Sequence, residues 1–156
     1  MSHTVHPYSH RLGILRDWKS RWFSPKGKFK EYLEADVVIR RYLEKKLKGF
    51  FIADIEIERS QKALRIILST SRPGMIIGRA GDGSQKLLAD VKKLLEKKKL
   101  LPAKVELKLD VKEVKSPESN AAIVAEMVVD GLEKRMPFRR VMKSMLEKVM
   151  ANRDVQ

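Results

Sequence analysis

The chain has 156 residues, of which 43% are hydrophobic and only 6% aromatic, so it can bury a largely aliphatic core. Lys and Arg number 34 against 20 Asp and Glu, and the formal net charge of +14 favours a polyanionic partner, nucleic acid first and an anionic membrane second. The absence of cysteine, of a run of about 18 apolar residues and of an apolar signal-peptide core argues against disulfides, thiolate-metal sites and membrane spans, and indicates a cytosol-like compartment.

Residues 1–28 are predicted to form an irregular, basic N-terminal arm that is largely disordered in the free protein. Its candidate RNA contacts are Arg11, Arg16, Lys19, Arg21 and Trp22. Arginine beside aromatic rings is suited to phosphate contact and base stacking. The spacing of Trp18 and Trp22 equally fits a cap on the core of the next domain. His3, His6 and His10 lack acidic or cysteine partners, so we expect neither a metal nor a cofactor.

The sequence of residues 28–69 predicts one helix and two antiparallel strands. Apolar residues recur at three- and four-residue spacing between Lys28 and Lys48, and Gly49 is a plausible stop. Apolar and polar residues then alternate over residues 51–58 and 64–69, which predicts two half-buried strands joined by a turn at residues 60–62.

A glycine-rich loop is the most informative stretch of the chain. Gly78, Arg79, Ala80 and Gly81 follow a short apolar turn and precede a predicted amphipathic helix over residues 85–98. Glycine allows a sugar-phosphate chain to approach the main chain, and the start of a helix favours phosphate. This is the arrangement of a KH-type loop, which clamps about four nucleotides of a single strand. The spacing alone also fits a tight connection whose glycines only supply positive φ.

The order of these elements indicates the fold class. After a connection that ends at Pro102, residues 105–111 give the cleanest strand alternation in the chain, and we expect it to lie beside the strand at residues 64–69. Helix, strand, strand, short helix, Gly-x-x-Gly, helix and strand is the order of a type II KH fold. We therefore predict an α+β domain over residues 29–115, with a three-stranded sheet and helices on one face.

Residues 116–156 are predicted to form a helical hairpin. Ser116 supplies a capping hydroxyl before Pro117, and Pro137 precedes the second helix. The second helix is expected to bury Phe138, Val141, Met142, Met145, Leu146 and Val149 and to expose Arg139, Arg140, Lys143 and Lys148. No catalytic constellation is present in the sequence, so we do not expect an enzyme.

Three motifs in order resemble the bacterial-type third ribosomal protein of the small subunit. They are residues 5–14 (VHPYSHRLGI), residues 72–81 (RPGMIIGRAG), and residues 132–143 (LEKRMPFRRVMK). The resemblance implies a structural component of the small-subunit head that binds small-subunit rRNA, with the tenth and fourteenth small-subunit proteins as neighbours. It also implies that Arg139, Arg140 and Lys143 lie at the mRNA entry site, where the family grips and unwinds mRNA.

Two departures from that family pattern matter. Ala80, Gly83 and Ser84 replace a basic and an apolar residue of the family loop, which predicts a looser start to the following helix and weaker RNA binding. The chain also ends at Gln156, where the family continues into a C-terminal sheet domain, so residues 116–156 are expected to be the start of a truncated domain.

The alternative function is a free-standing KH regulator that binds single-stranded RNA. The arm argues against it, because a regulator has little use for 28 basic, irregular residues, whereas ribosomal proteins thread such arms through rRNA.

Overall fold

The structure is a computed structural model that describes residues 4–24, 27–60, 62–100 and 105–152. His3, Pro25 and Pro102, which entered the sequence predictions, lie outside the described residues, as do the two ends of the chain at Met1 and Gln156.

The described residues form an α+β fold built on one four-stranded sheet. The strands are β1 (Ser20–Arg21), β2 (Ile52–Arg59), β3 (Ala63–Thr70) and β4 (Glu106–Glu113). The helices are α1 (Pro7–His10), α2 (Phe29–Lys46), α3 (Pro73–Ile77), α4 (Asp82–Lys97), α5 (Ala121–Glu133) and α6 (Phe138–Ala151). The strand order is β1-β2-β3-β4, in which β2 and β3 are antiparallel and the two outer pairs are parallel.

One aliphatic core lies between the sheet and the helices on one of its faces. From β3 it takes Leu64, Ile66 and Leu68, which are alternate residues and therefore share a face. It also takes Ile39 of α2, and from α4 Val91 and Leu95. Because these strand and helix residues belong to one buried cluster, α2 and α4 cover the same face of the sheet.

The fold confirms the predicted type II KH class. The order of α2, β2, β3, α3, α4 and β4 is the predicted one, and β3 pairs with β4 along its full length, from Ala63 opposite Glu106 to Thr70 opposite Glu113. The fourth strand was not predicted. It is β1, where Ser20 pairs with Ile57 and Arg21 with Glu58, so residues 20–21 of the supposedly irregular arm are part of the sheet.

Two local predictions are wrong. Phe51 is not a strand residue: its φ is +54°, and β2 begins one residue later with an irregular register. Asn120, not Ser116, caps α5, since its side chain accepts from the backbone N–H groups of Ala122 and Ile123. The Ser116 hydroxyl instead accepts from the Asn152 amide at 3.3 Å.

The predicted inward face of α6 is only partly buried. Val141 is buried against Gly131 of α5, where a Cβ would lie 3.0 Å from a Val141 methyl group. In contrast, Phe138, Met142 and Leu146 are 64%, 56% and 66% exposed. Val141 therefore packs against α5, Met145 and Val149 are half-buried, and the other three predicted inward residues are exposed.

Candidate nucleic-acid interface

The Gly78–Gly81 loop has a backbone that its sequence specifies. Gly78 has a φ of +71° and Gly81 a φ of +86°, in the region that favours glycine. A Cβ on Gly78 would also lie 3.0 Å from the backbone nitrogen of Gly83, so close approach and positive φ both require glycine there. Arg79 and Ala80 lie between them and are exposed. The main chain of the loop is thus open to a strand of nucleic acid.

The start of α4 is tied to the loop rather than loose, contrary to the expectation from Gly83 and Ser84. The Ser84 hydroxyl donates to the Gly81 carbonyl at 2.8 Å. Gly83 lies so close to the end of α3 that a Cβ there would be 2.5 Å from the carbonyl oxygen of Ile76. Ser84 and Gly83 therefore fasten the loop, the first by a hydrogen bond and the second by backbone contact.

Cations dominate the surface around this loop. Arg79 of the loop and Lys86, Lys92 and Lys93 of α4 are exposed, and none has a carboxylate within ion-pair distance among the described residues. Asp82, the first residue of α4, places an opposing charge directly beside the loop; it suits the helix N-terminus but repels an approaching phosphate. The net field at the loop favours a polyanion.

The predicted arm contacts divide into two groups. Lys19 and Arg21 are paired with carboxylates of β2: Lys19 Nζ lies 2.9 Å from Asp54 Oδ1, and Arg21 Nη2 lies 2.6 Å from Glu56 Oε2 and 2.8 Å from Glu58 Oε1. Hydrogen bonds to these two glutamates raise the pKa of Arg21, and the bond from Arg21 lowers the pKa of Glu58. These two cations therefore neutralise carboxylates of β2.

Arg11 and Arg16 form the second group and remain exposed. The Arg11 guanidinium donates to the Pro7 carbonyl at 3.0 Å, and the Arg16 guanidinium lies 5.1 Å from the centroid of the Tyr8 ring. Neither has a carboxylate partner among the described residues. Of the arm cations proposed for RNA, these two keep their charge available.

Trp22 anchors the arm to the folded domain. Its Nε1 donates to Asp36 Oδ2 at 2.7 Å, and Asp36 Oδ1 lies 3.2 Å from Arg59 Nη2. Asp36 is 2% exposed, and the Arg59 guanidinium stacks 4.3 Å from the centroid of Tyr32. Of the two alternatives for Trp22, the core cap is the one with contacts in the structure.

Sequence reasoning missed this buried ion pair, although a signal was present. Asp36 lies three residues before Ile39 and seven before Leu43, both fully buried, so it falls on the apolar stripe of α2. An acid within an apolar stripe needs a buried partner. The partner Arg59 is at the end of β2, and no sequence pattern connects the two positions.

The predicted mRNA contacts on α6 are exposed. Arg139, Arg140 and Lys143 follow Pro137, which caps the helix, and none has an ion-pair partner in the described part of the chain. The Arg139 guanidinium lies 5.7 Å from the centroid of the Phe138 ring. Arg139 and Arg140 lie in the first turn of α6, where a cation opposes the helix dipole at a cost of about 0.3–1 kcal/mol each. An anionic partner would offset that cost.

Within the described residues, no group of three or more His, Asp or Glu side chains is arranged to hold a metal ion. In the same residues, no helix combines the length and the apolar character that a membrane crossing requires.

Comparisons with known proteins agree with this geometry. The family described as KH domain matches residues 38–119. The chain is 42% identical over 150 residues to small ribosomal subunit protein uS3 of Caldicellulosiruptor bescii, and 43% identical over 143 residues to that of Xanthomonas oryzae pv. oryzae. These alignments cover 96% and 92% of this chain but 64% and 55% of the two relatives. The chain therefore spans less than two thirds of their length.

Proposed function

The chain belongs to the KH domain family and is a relative of small ribosomal subunit protein uS3, and we propose that it is a structural, non-enzymatic constituent of the small ribosomal subunit that binds rRNA. Its site of action is the ribosome in the cytoplasm. The segments at residues 1–28, 29–115 and 116–156 act as an rRNA-binding arm, the KH domain and the beginning of a C-terminal domain.

The observation that carries this proposal is the Gly78–Gly81 loop. Its glycine backbone is open, Arg79 has no carboxylate partner in the described chain, Ser84 bonds to the Gly81 carbonyl, and Gly83 lies against the end of α3. A rigid loop with open main chain and free cations is preorganised for phosphate, because its ordering is already complete before RNA binds. Arg11 and Arg16 of the arm extend the available charge.

Sedimentation tests the ribosomal part of the proposal. The full chain should remain with small subunits through a high-salt gradient, since an assembled protein is held by many contacts. A free-standing KH regulator would dissociate, because its RNA affinity depends mainly on phosphate contacts that salt weakens. Release from small subunits by salt, with retained binding to free single-stranded RNA, would favour that alternative.

A finer part of the proposal concerns Arg139, Arg140 and Lys143. We assign them to the mRNA entry site, where they grip the message and help to open its secondary structure. Their exposure and their unfavourable position at the start of α6 support this role. Neighbours in the small-subunit head, including the tenth and fourteenth small-subunit proteins, would then complete the surroundings.

Translation through a stable hairpin tests this assignment. Replacing Arg139, Arg140 and Lys143 with alanine should leave rRNA assembly intact and slow translation of a hairpin-containing message more than that of an unstructured one. The matched control replaces Lys45, Lys112 and Lys115, three exposed lysines outside α6. Equal slowing on both messages would contradict the unwinding role, and a failure to assemble would make the three residues rRNA anchors.

A further inference from the structure

The hairpin formed by α5 and α6 meets the KH domain at an irregular turn between α2 and β2. Two residues of this turn have positive φ, Gly49 at +85° and Phe51 at +54°. Positive φ is uncommon for a residue with a side chain, and it persists where surrounding contacts enforce it. The contacts that enforce the shape of the turn therefore deserve to be traced on both of its sides.

Glu126 of α5 supports the turn from one side. Its Oε1 accepts from the backbone N–H of Gly49 at 2.8 Å, and its Oε2 accepts from the backbone N–H of Ile52 at 3.0 Å. Hydrogen bonds to an ionised carboxylate are stronger than those between neutral groups, and the N–H groups of a fixed turn have fixed directions. Two such bonds to one carboxylate determine both where α5 lies on the KH domain and how it is rotated.

The other side of the turn is bonded to the segment that leads into the Gly78–Gly81 loop. The hydroxyl of Thr70, which is fully buried, donates to the carbonyls of Phe50 at 2.8 Å and Phe51 at 3.3 Å. The same hydroxyl accepts from the N–H of Arg72 at 3.1 Å, and the Arg72 guanidinium lies 4.5 Å from the centroid of the Phe51 ring. Because Arg72 directly precedes α3, the turn joins α5 to the support of the loop.

A second polar contact of α5 with this region is of a different kind. Glu133 forms an ion pair with Lys48, and the two side chains are 55% and 64% exposed. An exposed ion pair contributes little and does not hold a fixed geometry. Glu133 lies seven residues after Glu126 and so on the same face of α5, which makes it a matched control.

We propose that Glu126 is a positioning residue for the mRNA contacts assigned to α6. Since α5 packs against α6, a fixed α5 also fixes Arg139, Arg140 and Lys143 relative to the loop. Cations on a helix that moves relative to the rest of the domain would have to be ordered again each time they bind a strand, whereas cations held in place are preorganised. The inference rests on the proposed mRNA role and adds the residue that holds the contacts in place.

A distance measurement tests whether Glu126 holds the hairpin. The chain has no cysteine, so Glu96→Cys on α4 and Glu147→Cys on α6, both at exposed positions, introduce two defined sites for spin labels. Double electron–electron resonance should give a single narrow distance distribution when Glu126 is present. Glu126→Gln keeps the size of the side chain but turns an NH2 group toward one of the N–H groups, so it should broaden the distribution. Glu133→Gln should leave it narrow, and urea denaturation checks that each variant is folded.

Translation tests the consequence for mRNA. Small subunits that carry Glu126→Gln should translate a hairpin-containing message more slowly than wild type and an unstructured message at the wild-type rate, whereas Glu133→Gln should change neither. Adding Glu126→Gln to the alanine replacements of Arg139, Arg140 and Lys143 should cause no further slowing. A residue that acts only by placing these cations has no effect once they are gone, and such non-additivity identifies it.

The outcomes separate this inference from the proposed function. An unchanged distance distribution in Glu126→Gln, equal slowing of both messages, or further slowing in the combined variant would overturn the positioning role. If the alanine replacements on α6 slowed both messages equally while Glu126→Gln broadened the distribution, the mRNA assignment would be overturned and the attachment of α5 by Glu126 would stand.

Discussion

The second half of the arm and the Gly78–Gly81 loop both present cations, but of these two regions only the arm has cations that form ion pairs with carboxylates among the described residues. Lys19 and Arg21 lie against Asp54, Glu56 and Glu58 of β2 at 2.6–2.9 Å. Arg79 in the loop has no such partner in the described chain. A high Lys and Arg count therefore does not locate an RNA-binding surface. What locates it is charge that the fold leaves unpaired.

The largest effect is expected where the arm is anchored. Asp36→Ala leaves the Arg59 guanidinium buried without its carboxylate and removes the acceptor of Trp22 Nε1. Breaking a buried ion pair from one side typically lowers the free energy of unfolding by about 3–5 kcal/mol. Urea denaturation measures this loss, and RNA affinity at the loop should change far less in whatever fraction remains folded.

The matched control is Glu34→Ala, an exposed acid two residues earlier on α2. Its effect on the free energy of unfolding should be within about 0.5 kcal/mol. A loss below 1 kcal/mol for Asp36→Ala would show that the anchor contributes no more than a surface ion pair, and the arm would then be less firmly attached than its contacts indicate.

The ion pairs at and near the attachment of the arm to the folded domain are what the sequence could not predict. The alternation over residues 105–111 and the spacing around Gly78 were enough to predict β4 and the loop, because each depends on neighbours in the sequence, whereas the pairing of β3 with β4 followed from the order of elements in a KH fold. The pair between Arg21 and Glu56 joins residues 35 positions apart, and that between Asp36 and Arg59 joins residues 23 apart. No local period encodes such pairs.

The same distinction explains the errors at the C-terminal hairpin. The apolar spacing of α6 correctly predicted a helix but could not show which apolar residues meet a partner. Val141 contacts Gly131, whereas Phe138 and Leu146 are more than 60% exposed. Periodicity specifies a face, and only the packing of other elements decides whether that face is covered.

The second prediction concerns the Gly78–Gly81 loop. Arg79→Asp with Ala80→Asp replaces one cation with two anions beside the bound phosphates, so we expect a loss of single-stranded RNA affinity of tenfold or more, with a salt slope smaller by about 0.7 for each lost phosphate contact. The φ of +50° at Ala80 is tolerated by Asp, so thermal stability should be nearly unchanged. Fluorescence anisotropy at several salt concentrations gives both affinity and slope.

The control for this variant is Lys45→Asp with Ala121→Asp, which changes the net charge equally at two exposed positions away from the loop. It should weaken RNA binding only slightly and leave the slope unchanged. Equal weakening by both variants would mean that RNA affinity depends on the total charge and not on the loop. The contrast between the paired cations of the arm and the unpaired cation of the loop would then not explain RNA binding.

A third, smaller effect is expected for Arg21→Ala, which removes the partner of Glu56 and Glu58. The bond from Arg21 lowers the pKa of Glu58 below its ordinary value of 4.5. A carboxylate whose pKa is lower in the folded state stabilises the fold above the unfolded-state pKa, and this contribution disappears as the pH falls through the folded-state pKa. The free energy of unfolding of the variant should be lower by about 1 kcal/mol at neutral pH, since the pair is partly exposed.

The difference in the free energy of unfolding between wild type and Arg21→Ala should therefore shrink as the pH drops below 4.5. Urea denaturation at several pH values measures it. Arg11→Ala is the control, because Arg11 donates only to a carbonyl and has no carboxylate partner in the described chain. A difference that stays constant with pH would show that Arg21 acts through packing and not through the charge of Glu58.

The smallest effect should come from Asp82→Asn, and its two consequences should have opposite signs. Asp82 is exposed at the first position of α4, so its carboxylate favours the helix N-terminus, and neutralising it should lower the free energy of unfolding by about 0.3–1 kcal/mol. The same carboxylate follows Gly81 directly and repels phosphate at the loop. RNA affinity should accordingly rise about two- to fivefold at low salt, and the gain should vanish at high salt as screening shortens to a few ångströms.

A variant that binds RNA better while folding less stably separates electrostatics at the loop from any general effect on the domain. Glu96→Gln makes the same charge change on an exposed residue of α4, but 14 residues along the helix and therefore about 21 Å away, beyond the screening length of about 10 Å at 0.1 M salt. It should leave RNA affinity unchanged. If Asp82→Asn gave no gain while Glu96→Gln did, the strand would lie nearer the far end of α4, and the loop would not be where phosphate is held.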